Sequence, residues 1–475
     1  MEEESTGIIG DVRSVIHDYV ITTGPSYGNN FFFGIGIYLL MLFGILALTG
    51  MIMVIFGPFW WDVTPIGTLV RSIHLWAAEA FVTLVFLHLF VNFCTSAYKN
   101  RKILWLIGSV MLMLVLLEFA FGVGMGGSLI AQANQQAGSD LWNGMGLGFW
   151  INPMNSGAVL GWHIAIIPMI LMVLMFLHYS VVRSKGLNTP YRKDIPYSIV
   201  PINHKTMYKR MAYIAIIVVL FGVLFTAPYI PPLTISQAAV QNPSAIASTF
   251  LNETNMSSAT ATYLDTINPY TFNTMTVYVT KPYSVYLNLT HSRNLESEFL
   301  SSDASQRHAD MATAFAYFAS NGSISNGMNS SNPAIALAST LTHMAQTGAY
   351  QPVLQSEVDS GLNNTYVIRF LYDSGTLWQM ADKYGLSVPQ FGMLKVGAPP
   401  WSIQYWLLPF NFLEIQTSSI PWWNDFENGA ISMVMFLILL LLPYIPGLRD
   451  IPDKLKLYKL FWNKYTIPEM RKPKQ

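Results

Sequence analysis

Long apolar runs constrain this chain more than any other feature. A helix needs about 20 mostly apolar residues to cross ~30 Å of hydrocarbon. Five runs reach that length, at 34–56, 74–97, 103–123, 159–182 and 429–447, and a sixth at 211–228 is slightly shorter. Charged residues make up only 11% of the 475, against roughly 25% in a typical globular chain. The expected fold is therefore an all-α polytopic membrane protein. Its 26 basic and 26 acidic residues cancel, so net charge gives no reason to expect a nucleic acid partner. The single cysteine, Cys94, excludes a disulfide framework, a thiolate zinc site and covalent haem attachment through CxxCH.

Orientation follows from the basic residues of the short loops. Lys99, Arg101 and Lys102 join the second and third runs; Arg183, Lys185, Arg192, Lys193, Lys205, Lys209 and Arg210 lie between the fourth and fifth. Arg449, Lys454, Lys456, Lys459, Lys464, Arg471, Lys472 and Lys474 follow the last. Six alternating helices put all of these on one side, which is then cytoplasmic, and place both termini there in a plasma membrane. The acidic start, MEEEST, has no positive n-region of a signal peptide. Residues Val12 to Val20 are expected as a helix lying on the membrane surface.

Between Ile230 and about Gly397 the composition shifts to Ser, Thr, Asn and Ala. Such a length demands a folded domain, on the outer side by the same topology. Thr274–Thr290 reads as one or two strands, and Ala304–Ser320 and Pro333–Thr347 as helices, giving a mixed α/β insert. Six N-x-Ser/Thr sequons cluster here, at Asn252, Asn255, Asn288, Asn321, Asn329 and Asn363, and point to N-glycans. The expected segments are 1–30 (cytoplasmic or interfacial), 31–183 (four-helix bundle), 184–228 (loop and fifth helix), 229–398 (extracellular insert), 399–448 (an outer segment and the last helix) and 449–475 (basic tail). The apolar stretch 401–415 is too short to span.

Four of nine histidines lie inside apolar helices, where ionisable groups are costly and usually functional. His74 and His88 are 14 residues apart on the second helix; His163 and His178 are 15 apart on the fourth. Fourteen residues advance a helix about 1400°, within ~40° of whole turns, and rise ~21 Å. Fifteen overshoot by about 60° and rise ~22 Å. If the two helices run parallel, His74 meets His163 near the outer surface and His88 meets His178 near the inner one. Lone membrane histidines often only bond neighbouring helices, and a proton relay needs no two equal levels. Two facing imidazoles per level are what bis-histidine haem ligation requires. Gly36 and Gly50 on the first helix, and Gly108 and Gly122 on the third, repeat the same spacing. Small residues also serve plain helix packing, but glycine lets a flat macrocycle approach the backbone. The bundle is expected to carry two stacked haems.

In these residues the sequence resembles cytochrome b, the dihaem subunit of quinol-oxidising complexes of the bc1 and b6f type. The matching motifs are Gly36-x13-Gly50, Arg71-x2-His74-x13-His88, Trp105-x2-Gly108-x13-Gly122 and His163-x4-Pro168 followed by His178. The 15-residue spacing and Val182-Arg183-Ser184-Lys185-Gly186 are similar to the b6 branch. The long insert is similar to that of thermoacidophilic archaeal members, some of which carry a-type rather than b-type haems. The resemblance implies that Arg71 pairs with a propionate of the outer haem, and that quinol and quinone are substrates. It also implies a Rieske-type iron–sulfur partner among other respiratory subunits. His204, Lys205, Lys209 and Arg210 fall where the family reduces quinone.

The family's outer-site motifs, Pro-Glu-Trp-Tyr and Pro-Trp-Gly, are missing. Pro399-Pro400-Trp401-Ser402-Ile403-Gln404-Tyr405-Trp406 is the counterpart of the first, with Gln404 or Tyr405 in the acidic position. Neither amide nor phenol accepts a proton well near neutral pH. Glu118, one turn before Gly122, is the candidate substitute that accepts or relays a quinol proton. The expected function is a cytochrome b subunit moving electrons across the membrane between quinone sites. Its rivals are an electron-wiring subunit of a terminal oxidase complex without a working outer quinol site, and a haem-free glycosylated transporter or scaffold.

Overall fold

The computed structural model describes residues 22–148, 150–186, 198–226, 230–262, 272–356, 363–395, 404–420 and 425–461. The expected surface helix at Val12 to Val20, residues 399–403 and the tail beyond 461 lie outside them. The principal helices, in chain order, are α1 Ile35–Val63, α2 Pro65–Cys94, α3 Lys102–Gly124, α4 Leu129–Gly144, α5 Ser156–Lys185, α6 His204–Leu224, α7 Pro243–Thr254, α8 Lys281–Thr290, α9 Pro333–Gln346, α10 Thr365–Asp373 and α11 Asp425–Leu441. Among the described residues, six helices are long and apolar enough to cross a membrane, namely α1, α2, α3, α5, α6 and Glu427–Tyr444. Each overlaps one of the six apolar runs. The protein is an all-α, multi-pass membrane protein.

Local chemistry sets the breaks. In α1, Gly57 has φ 76° and Pro58 follows; the glycine takes a left-handed turn that the proline, lacking an N–H, cannot bridge. Thr64 caps α2 by accepting from Gly67 N at 3.1 Å, with Pro65 in the first turn where no donor is missed. A widened π turn, Trp162–Ile166, interrupts α5. Pro168 has no N–H for the Ile164 carbonyl, and the turn lies over that gap.

The chain divides into two compact units. The first comprises 1–119, 164–227 and 434–475. At one end of it, Lys99 Nζ donates to Asp450 and Asp453 at 2.6 Å each, and Tyr98 donates to the Arg449 carbonyl at 2.8 Å. Buried Arg101 donates to the carbonyls of Gly186 and Lys185, at the C-terminus of α5, where backbone acceptors and the helix dipole favour a cation. Thr23–Pro25 and Ile199–Pro201 form a two-stranded antiparallel pair.

The second unit comprises 120–163 and 228–433. Its core holds fully buried Phe250, Tyr278, Tyr283, Phe318, Tyr350 and Phe370. Helix α9 runs through it, buried almost all round from Ala334 to Thr342. The expected helices at 304–320 and 333–347 form as Ala304–Ala319 and α9. The strands expected at Thr274–Thr290 do not. This stretch is a π turn, Thr276–Thr280, running into α8. Its β-branched and aromatic residues suggested alternation, yet Val277, Tyr278 and Val279 are buried in succession, which no half-exposed strand permits. Packing against helices overrides β propensity here. Among its described residues the insert is helical, not mixed α/β. The apolar stretch 401–415, described from 404, enters the ten-residue helix Leu408–Thr417, too short to span.

Candidate functional site

His74 and His88 are carried half-buried on α2, and His163 and His178 half-buried on α5. Thr49 of α1 stands against the first of them. Its Oγ1 donates to the Ile45 carbonyl at 2.7 Å and lies 2.8 Å from His74 Nδ1. A hydroxyl has one proton to give. With that proton on Ile45, Thr49 accepts from Nδ1–H, and the Nε2 lone pair becomes the metal-binding one.

The glycine repeat proves to be tied to the histidine repeat. A Cβ at Gly50 would lie 3.4 Å from His74 Cε1, at Gly108 3.8 Å from His178 Cε1, and at Gly122 2.9 Å from His163 Cε1. Bare backbone therefore faces an imidazole at three of the four glycines. Gly36 differs, with nothing within 4 Å of the added carbon. His88 lies within electrostatic reach of His178. His178 Nδ1 is buried with no hydrogen-bond partner among the described residues. The nearness of His88 to His178, and the bare backbone before three of the rings, suit haem ligation.

Arg71 is buried, pairs with Asp62 and lies 4.6 Å from the Trp61 ring. Its guanidinium carries five donors and a fixed positive charge. Glu118 is half-buried on α3 in the first unit. Gln404 and Tyr405 adjoin one another in the second unit. There Gln404 is buried with its backbone N–H on the Leu394 carbonyl at 2.7 Å, and the Tyr405 ring lies 5.0 Å from that of Trp406. At the start of α6, Arg210 donates to the Asn29 carbonyl at 2.9 Å and His204 stacks on Tyr208, while Lys205 and Lys209 are exposed. Sequence reasoning missed Thr49 and Asp62. Thr49 precedes Gly50 directly, which was its one available signal; Asp62 gave none beyond being an acid near an apolar run.

Residues 79–238 match the family model described as Cytochrome b(N-terminal)/b6/petB. This stretch is similar to the N-terminal domain of cytochrome b and b6. It holds His88, Gly108, Gly122, His163 and His178. Cytochrome b6 of Heliomicrobium gestii is 25% identical over 217 residues, covering 40% of this chain and 98% of that protein. Cytochrome b of Sulfolobus acidocaldarius is 25% identical over 229 residues, covering 41% of this chain and 40% of that protein. The chain thus spans nearly all of the shorter relative and under half of the longer one. A solved structure titled Hyperthermophilic respiratory Complex III aligns with 78% of this chain and 98% of that one, at 16% identity and a TM-score of 0.37, too loosely to add to the fold.

Proposed function

We propose that this chain is the cytochrome b subunit of a quinol-oxidising respiratory complex, carrying electrons across the membrane between quinone sites. His74, His88, His163 and His178 would hold the iron of two haems. The observation that carries the reading is the pairing of glycine with ligand histidine at Gly50, Gly108 and Gly122. Bound there, haem iron supplies one-electron redox chemistry. The chain's own groups do the rest. Thr49 orients His74 and fixes its tautomer, the glycines clear space for the rings, and Arg71 supplies a cation for a propionate. Glu118 accepts or relays a quinol proton, with Gln404 and Tyr405 at the outer quinol site. The chain's one cysteine cannot hold an iron–sulfur cluster, so the Rieske-type cluster of this reading would belong to another subunit.

A pyridine haemochrome assay on the purified chain tests the reading. Two haems per polypeptide are expected, and His88→Ala and His178→Ala should remove the same spectral component. No haem in a well-folded preparation would return the chain to the transporter or scaffold class. A second reading, electron wiring without an outer quinol site, draws on the absence of any carboxylate between Pro399 and Trp406. Inhibitor-sensitive quinol turnover by the purified complex, lost in Glu118→Gln, supports the first; no such turnover supports the second.

The basic loops support a cytoplasmic location for both termini and an extracellular second unit in a plasma membrane. N-glycans on its sequons belong to the same proposal.

A further inference from the structure

Glu253 and Asp373 lie in the interior of the second unit, on α7 and at the end of α10. Glu253 is fully buried. Each carboxyl is half satisfied by its neighbours: Ser258 Oγ donates to Glu253 Oε2 at 2.8 Å, and Thr260 N donates to Asp373 Oδ1 at 3.0 Å. The remaining oxygens, Glu253 Oε1 and Asp373 Oδ2, are both buried and take no donor at hydrogen-bond geometry among the described residues. Ser258 and Thr260, two residues apart, hold the two carboxyls in one place, where each acts electrostatically on the other and the buried hydroxyls of Thr260 and Thr274 stand beside them. Two buried acceptors cannot hold together as two anions, because a like charge next to a buried carboxylate costs more than either site returns. One proton between them satisfies both oxygens at once.

The other titratable groups facing the pair leave that requirement in place. Tyr278 donates its phenol to the Tyr366 carbonyl at 3.0 Å, and Tyr350 donates to the Tyr278 carbonyl at 2.8 Å. Burial pushes both phenols well above their usual range, so both stay neutral. Arg369, also fully buried, is engaged by Asp140 at 3.3 Å and Ser139 at 3.2 Å. Its single charge faces Asp140 and Asp373 together.

We propose that Glu253 and Asp373 share one proton, and that this bond is an acid-dependent latch holding α7 to α10. Burial first, and then the charge of Asp373, pushes the Glu253 carboxyl up to about 8 from an ordinary 4.5. The folded unit therefore binds more protons than the unfolded chain between those values, and stability falls as pH rises. The contribution is whole below about pH 4.5, declines above it and is gone once pH passes about 8.

Hydrogen exchange on the full-length protein in detergent tests this, read on peptides covering α7 and α10 and corrected for the intrinsic pH dependence of exchange. Protection should fall by up to about tenfold per pH unit between about pH 5 and 8, one proton being released per opening. Glu253→Gln gives the pair a permanent N–H donor, so its protection should stay nearly level with pH. Asp373→Asn serves the same end should the first variant not fold. A flat wild-type profile, or an unchanged slope in a folded variant, overturns the latch. So does wild-type protection at pH 8 that is restored by calcium and abolished by a chelator, which would assign the oxygens to a cation. The haem spectrum enters none of these readouts, so the cytochrome b reading stands or falls separately.

Discussion

Thr49 spends its one proton on Ile45 and receives one from His74. At the proposed haem, that acceptor bond would make the imidazole a stronger donor to the iron and stabilise its oxidised state. Thr49→Val should raise the midpoint potential of the haem held by His74 and leave the other unchanged in a spectral redox titration, while Thr49→Ser stays near wild type. The glycines give a graded prediction. Alanine at Gly122 places a carbon 2.9 Å from His163, inside any normal contact, so Gly122→Ala should displace that ring and lose or shift one haem signal. Gly50→Ala, at 3.4 Å, should perturb ligation less, and Gly108→Ala, at 3.8 Å, less again. Gly36→Ala should leave the histidines in place, since nothing lies within 4 Å. Reduced-minus-oxidised spectra of the four variants check the order. The periodicity of these residues was legible in the sequence because helical geometry converts spacing into facing. The partner of each ring nitrogen was not, because Thr49 reaches His74 across 25 positions of chain.

Among the elements, the spanning helices were readable to within a few residues at most ends, since hydrocarbon thickness dictates their length. The insert was harder. Sequence identified α9 and Ala304–Ala319 but made strands of α8 and its π turn, where tertiary burial rather than local preference decides. Nor did any local signal announce that α4 belongs with the insert. Among the contacts that join them is Arg369 of α10 with Asp140 of α4, 229 positions apart. Burial raises the Asp140 carboxyl while Arg369 and Gln136 act to lower it. Removing the guanidinium leaves a buried acid without its counter-ion, a change that costs about 3–5 kcal/mol. Arg369→Ala should destabilise the second unit by that amount, read as earlier proteolysis of the insert on warming. Arg369→Met with Asp140→Asn should recover much of it, because the charge that required pairing is gone.

For the molecule as a whole, orientation is the property on which the proposed electron path depends, and the sequons report it. Asn255, Asn288, Asn321 and Asn329 are exposed in the second unit. Asn252 is half-buried within α7, and the residue between it and its threonine, Glu253, is fully buried. Asn363 is half-buried with its backbone bridged to Asn155, and Thr365, which completes its sequon, is buried. A glycan needs both the acceptor amide and the space around it, so the exposed four should be modified and Asn252 and Asn363 should remain bare. In protein purified from its own membranes, glycopeptide mass spectrometry should find that division. It requires the insert to face the compartment where glycans are attached, opposite the loops of Lys99, Arg183 and Arg449. Bare asparagines at all four exposed sites would remove the glycan evidence for that orientation and leave it resting on the basic loops. Modification at Asn363 would mean that the glycan is attached before α10 closes over Thr365, since the folded unit leaves that threonine no exposed surface to present.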